Sequence, residues 1–378
     1  MQLGNNFNKE FVAQPVEICS NWPEITQDNS LRSRVPAEMP CSTCALSKID
    51  SGERMQRREF FHLAGGFAAS TTIFKKSVVL GEVEYAKPII DSHIHLFDPT
   101  RPGGVPWPEK NDSALYKPAL PERYETLSTP FGVVGCIAVE ASPLARDNDW
   151  LLGIAAKHPV VVGVIGNLIP GTPTYQNALD RLHRDPLFLG FRYGNLWSRD
   201  LEIDLAKPGF IDGLKALSQA GLVFESANPD PSLIRALLRV ADRVTQLRIV
   251  VDHIPNATVP VQPAALEEYN ANLRTLAQHP TVFVKLSEIP VVHDGSLIQD
   301  PAFYRERLDM MWDLFGADRV IFGSDWPNSD HVAPFAATLG IVRQYLVHKS
   351  RDAVEGYLWK NSATIYRWHP RRSDQPHL

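Results

Sequence analysis

The stretch IIDSHIH, residues 89–95, starts with two β-branched residues and ends with two histidines separated by one isoleucine. A run of this texture reads as a strand, and side chains alternate faces along a strand. Asp91, His93 and His95 are therefore expected on one face, with Ser92 and Ile94 on the other. Seven more runs follow: VVGCIAVE (133–140), VVVGVIG (160–166), LFLGFRY (187–193), GLVFES (221–226), LRIVVDH (247–253), TVFVKLS (281–287) and RVIFGSD (319–325). Between them lie segments with helical spacing, among them DWLLGIAAKH, YQNALDRLH, GFIDGLKALSQA, SLIRALLRVADRV and LEEYNANLRTLAQH. Near-continuous apolar strands alternating with helices are parallel strands covered on their outer faces. Eight such units predict an α/β fold, a (β/α)8 TIM barrel over residues 88–370, with a short tail at 371–378. A doubly wound open sheet competes, but no glycine-rich fingerprint follows the first strand.

The strand endings are polar in a way packing alone does not require: His93 and His95, Glu140, Arg192, Glu225, His253, Lys285 and Asp325. In a barrel these ends share one mouth, where catalytic residues sit. Two imidazoles two residues apart on one strand face can converge on a single ion, and a hydrolytic metal site adds a third ligand while leaving a position for water. His253 in VVDHIPN and Asp325 in FGSDWPN are the candidates for the rest of that set. By strand parity His253 goes with Ile249 and Val251, and Asp325 with Ile321 and Gly323, so each projects inward if those faces line the barrel.

DSHIH on the first strand, VDH on the sixth, VFVKLS on the seventh and FGADRVIFGSDWP on the eighth resemble the amidohydrolase-related hydrolases of the TIM-barrel fold. More narrowly they are similar to the lactonase branch that includes 2-pyrone-4,6-dicarboxylate lactonase and L-fuconolactonase-like enzymes. The resemblance runs from about Pro88 to Tyr366 and includes LGFRYG and LWKNSATIYRW. It implies hydrolysis of a lactone or a related cyclic ester or amide, with Asp325 as general base for water. It also implies that His93, His95 and His253, with Asp325, either bind a divalent metal, zinc foremost, or polarise the substrate carbonyl directly. Two positions depart from the pattern of many relatives, and both bear on substrate choice: Glu288 stands where a small residue follows the serine, and Glu140, a candidate substrate-binding residue, where an uncharged amide is frequent. A metal-dependent decarboxylase of carboxylated aromatic acids and a non-catalytic ligand-binding barrel are the alternatives.

Arg192 and Lys285 are candidates for holding an anionic group, which makes a small carboxylated lactone the expected substrate. The competing reading for both is an ion pair with Glu140 or Glu225 inside the barrel. The long loop after the first strand carries Trp107, and Trp107, Trp197 and Trp326 are candidate stacking surfaces for substrate.

Of 378 residues, 44% are hydrophobic and 21% charged, with a formal net charge of −5, which gives no basic footprint for nucleic acid. No apolar run reaches the ~20 residues of a membrane-spanning helix. The four cysteines, Cys19, Cys41, Cys44 and Cys136, are too few for a disulfide framework, and CSTC at 41–44 has no second pair to complete a metal site. Residues 1–54 are rich in Asn, Pro and Ser and are expected to carry no core. From Met55 the chain reads MQRREFFHLAGGFAAS, whose Arg57 and Arg58 ahead of a small-residue apolar span resemble a twin-arginine export signal over 55–87. That reading makes the translocation machinery a partner and the periplasm the destination, with Met55 the alternative start. Otherwise the enzyme is cytoplasmic. Homo-oligomerisation stays open.

Overall fold

The computed structural model describes residues 88–257 and 259–378. The segments assigned to an extension and an export signal, 1–87, lie outside the described residues. Eight parallel strands run in sequential order around a single sheet: β1 (Ile89–His95), β2 (Val133–Val139), β3 (Val161–Gly166), β4 (Phe188–Arg192), β5 (Val223–Ser226), β6 (Arg248–Val251), β7 (Val282–Leu286) and, after a small antiparallel hairpin of β8 (Val292–His293) and β9 (Ser296–Leu297), β10 (Val320–Phe322). The eight apolar runs read from the sequence are the eight barrel strands, and the hairpin between β7 and β10 is an addition to that reading.

The helices start where local chemistry starts them. Proline occupies the first turn of Pro121–Ser128, Pro231–Arg243, Pro263–Ala277 and Pro301–Phe315, where its missing N–H is no loss. Asp230 and Asp300 accept hydrogen bonds from the free amides of Leu233 and Ala302 at the starts of two of these helices. Two apolar populations result. Ile94, Val161, Phe191, Phe224, Ile249 and Phe322 pack outward against the helices, while Ile90, Ile137, Ile165, Leu189, Val223, Val250, Phe283 and Ile321 form the lumen cluster together with Trp359, Ile365, Tyr366 and Trp368 of the C-terminal segment. The tail packs on the barrel too. Gln375 is buried and donates to the carbonyls of Val134 and Pro159, just at or before the starts of β2 and β3, so the tail closes the end opposite the strand C-termini.

The barrel closes between β1 and the chain leaving β10. His95 N donates to Trp326 O at 2.7 Å, Asp325 N to His93 O at 2.9 Å, and Ser92 Oγ to Phe322 O at 2.5 Å. Gly323 is needed at this seam: a Cβ there would stand 2.7 Å from the His93 Cβ. The closure therefore brings the two histidines of β1 against Asp325.

Strand β1 departs from simple alternation. Its pairing with β2 shifts register between Asp91 and Ile94. Asp91 consequently does not share the inner face with the histidines: it accepts from Tyr124 Oη at 2.7 Å and from Ser324 N at 2.8 Å, bracing the seam from the helical side. An irregularity of one residue is enough to reverse every face beyond it.

Candidate active site

Four ring and carboxylate atoms converge at the rim. His93 Nε2 lies 3.3 Å from His95 Nε2 and 3.4 Å from Asp325 Oδ1, His95 Nε2 lies 3.1 Å from the same oxygen, and His253 Nε2 lies 4.0 Å from it. His93 and Asp325 are fully buried, and His95 and His253 nearly so. The sequence reading brought these four together, and the structure does so, though for His253 by a different route. Ile249 and Val251 face outward and Val250 faces the lumen, so strand parity alone would turn His253 away. The chain leaves strand geometry after Val251, and His253 takes a left-handed backbone (φ 54°) that swings its ring back over the lumen. Asp325, three residues beyond β10, does the same at φ 60°.

The residue parity sends inward is Asp252, which the sequence reading missed. It is fully buried, 3.2 Å from Lys285 Nζ, 3.6 Å from His93 Nδ1 and 3.7 Å from Arg192 Nη1. Lys285 also pairs with Glu225 at 2.8 Å, and Tyr366 Oη donates to the other Glu225 oxygen at 2.6 Å. Lys285 thus realises the ion-pair reading and not the substrate-anchor one. Arg192 is engaged likewise: it reaches Glu140 Oε1 at 3.4 Å and the Glu140 carbonyl at 2.8 Å, and its Nη1 stands 3.4 Å from His93 Nε2. Glu140 is further held by Arg199 at 2.5 Å, a loop residue with no strand pattern to announce it.

Of the expected stacking residues, Trp107 stands at the mouth, half-buried and edge-on to His95 with ring centroids 5.6 Å apart. Trp326 does not. It is fully buried in the outer layer, against Tyr124 and beneath the Arg123 guanidinium, because the chain that turns Asp325 inward turns the next side chain outward.

Each imidazole is oriented by its other nitrogen. His95 Nδ1 faces the Val139 carbonyl at 3.2 Å, which makes Nδ1 a donor and turns Nε2 toward Asp325 Oδ1. His253 Nδ1 meets Ser287 Oγ at 2.9 Å. Burial and the Lys285 charge hold the His93 imidazole well below its ordinary pKa, so it is neutral at neutral pH. Burial pushes the Asp325 carboxyl up, but His253 foremost, with His95 and His93, outweighs it and holds the group well below the usual carboxylate range. Burial and the neighbouring Asp252 charge push Glu225 up to about 7 despite Lys285.

This donor set fits a metal ion. Two ligands each about 2.0–2.1 Å from a tetrahedral zinc stand about 3.3 Å from one another, which the His93, His95 and Asp325 atoms reproduce.

Residues 90–368 match the family described as Amidohydrolase, and that span is well over half of the sequence. The chain belongs to the amidohydrolase family, in its lactonase-like branch. This amidohydrolase is 30% identical over 302 residues to an L-fucono-1,5-lactonase of Burkholderia ambifaria, covering 76% of this chain and 98% of that protein. A second L-fucono-1,5-lactonase, from Burkholderia multivorans, is 27% identical over 285 residues, covering 72% of this chain and 94% of the relative. Among solved structures, an amidohydrolase from Burkholderia multivorans with bound zinc superposes with a TM-score of 0.66 at 22% identity, over 75% of this chain and all of that one, a likeness of fold.

Proposed function

We propose that this amidohydrolase opens a small, uncharged lactone by adding water across its ester bond. The observation that carries the reading is the convergence of His93, His95, His253 and Asp325 at the C-terminal rim of the barrel, with Nε2 of each imidazole 3.1–4.0 Å from Asp325 Oδ1. The relatives named L-fucono-1,5-lactonase support a lactone as the substrate.

His93, His95 and Asp325 would hold a divalent ion, zinc in this reading. Once bound, it supplies a Lewis acid that polarises the carbonyl and acidifies water. Asp325, ionised throughout the working pH range, accepts the proton from the attacking water as the new C–O bond forms. Asn328 Nδ2 binds Asp325 Oδ2 at 2.7 Å, which fixes the carboxylate with Oδ1 toward the imidazoles. The ring C–O bond then breaks, and the proton on Asp325 passes to the departing ring oxygen, giving a hydroxy acid. His253, its Nδ1 tied to Ser287, presents Nε2 beside the reacting carbonyl, and Trp107 walls the mouth against bulk water. An uncharged ring is preferred to a carboxylated one because Arg192 and Lys285 are both already neutralised by buried carboxylates.

Export of the folded, metal-loaded enzyme through the twin-arginine route, carried by Arg57 and Arg58, belongs to this reading, and sequencing the mature N-terminus checks it. A pH-indicator screen of six-membered lactones, L-fucono-1,5-lactone included, tests the function, with metal content measured on the same sample. Ring opening that a chelator abolishes is the expected result. Failure of the metal-loaded protein to open any lactone, or release of carbon dioxide from carboxylated aromatic acids, would overturn it.

A further inference from the structure

Three adjacent strands end in the same manner. Past β6, β7 and β10 the chain takes a left-handed turn at His253 (φ 54°), Glu288 (φ 51°) and Asp325 (φ 60°), a conformation that favours glycine. Two of these residues deliver side chains to the site already described, and Glu288 is the third. Strained backbone at a non-glycine residue persists where the side chain it presents is needed.

The surroundings of Glu288 show what its side chain is prepared to meet. It is a quarter exposed, whereas His253 and Asp325 are closed off, so it faces the mouth. Asn256 Nδ2 donates to its Oε2 at 2.7 Å, and Asn328 Nδ2 reaches its Oε1 at 3.5 Å while also binding Asp325, so the carboxylate is held in fixed relation to the proton-accepting group. Among the described residues, its one ion-pair partner within 4 Å is His253, at 3.7 Å. Each oxygen of a carboxylate has two acceptor positions, and two amide donors leave some of them open. An oriented acceptor at the mouth, without an arginine or lysine upon it, suits a hydroxyl donor and repels an anion.

We propose that Glu288 is a specificity residue that accepts a hydrogen bond from a ring hydroxyl of the substrate, selecting polyhydroxylated lactones of the sugar-acid type over bare or carboxylated ones. This rests on the lactonase reading above and adds the substrate class. A site built to hydrogen-bond a substrate hydroxyl discriminates against an analogue lacking it.

The test compares L-fucono-1,5-lactone with δ-valerolactone, the same ring without hydroxyls, in the wild type, Glu288→Gly and Glu288→Gln. Glycine relieves the left-handed backbone, so the fold is expected to hold, with an unchanged or higher melting temperature. The kcat/KM preference for the hydroxylated ring is expected to fall roughly 10- to 100-fold in Glu288→Gly and less in Glu288→Gln. Calorimetric binding of a hydroxylated δ-lactam against δ-valerolactam, with both checked for intact ring after the titration, gives the same comparison without chemistry. Should the wild type open neither lactone, the lactonase reading falls while the lactam pair still decides the role of Glu288. Equal affinity for the two lactams in the wild type, an unchanged preference in Glu288→Gly, or loss of bound metal in that variant, which would make Glu288 a ligand, each overturns the proposal.

Discussion

Two polar layers are stacked in the barrel lumen, and they are built on opposite principles. In the lower layer Glu225, Lys285 and Asp252 are fully buried, and Lys285 stands between two carboxylates while Tyr366 closes the third side. In the upper layer His93 Nε2, His95 Nε2 and Asp325 Oδ1 face one another at 3.1–3.4 Å, three ligand-type atoms around one point. Alternating charges hold a shape by ion pairing, whereas ligand-type atoms gathered on one point are the arrangement a cation binds. His93 belongs to both, since its Nδ1 touches the lower layer and its Nε2 the upper.

The comparison breaks most sharply at Lys285. Lys285→Met leaves Glu225 and Asp252 buried without their shared cation, and a loss of about 3–5 kcal/mol in urea unfolding is expected. Removing an upper-layer group should do the reverse. His95→Ala is expected to lower turnover at least ~100-fold and abolish the rise in melting temperature that added zinc gives the wild type, while the metal-free melting temperature changes little. A wild type whose melting temperature ignores zinc would deny the upper layer its role. At the mouth, Trp107→Ala touches neither layer's charges, and a KM increase of about tenfold with kcat nearly kept is the expected outcome of steady-state kinetics.

Two pH profiles sharpen the contrast. His93 is held neutral well below the ordinary imidazole range, so kcat/KM is expected to persist as pH falls through 6.5, where a solvent-exposed imidazole would protonate and be lost as a ligand. Glu225 works on stability. Its folded-state pKa, about 7, lies above its ordinary value of 4.5, so between these limits the folded state holds the extra proton and stability contributed by this group falls as pH rises. Glu225→Gln should flatten that decline, whose slope is at most ~1.4 kcal/mol per pH unit, in melts run from pH 5 to 8.

The barrel was legible in the sequence because parallel strands covered on both faces are apolar throughout, and their polar endings mark the mouth. His93, His95, His253 and Asp325 were legible for the same reason. What escaped was whatever depended on leaving ideal strand geometry. The register shift in β1 turned Asp91 outward, the early end of β6 gave Asp252 the inward place and made His253 rely on a left-handed turn, and the turn at Asp325 buried Trp326 away from the mouth. Arg199 lies in a loop where no periodicity operates. The ion pairs of Arg192 with Glu140 and Lys285 with Glu225 were one of two readings the sequence offered, and the choice between them is a property of neighbouring strands, which one strand's sequence does not encode.

The most direct measurement sets wild type beside Asp325→Asn at equal metal load, following lactone ring opening and thermal unfolding on the same samples. Turnover reduced by at least ~1,000-fold with an intact melting transition is the predicted result, since the asparagine keeps the shape and loses the proton acceptor. Ring opening at near wild-type rate in that variant would contradict the account.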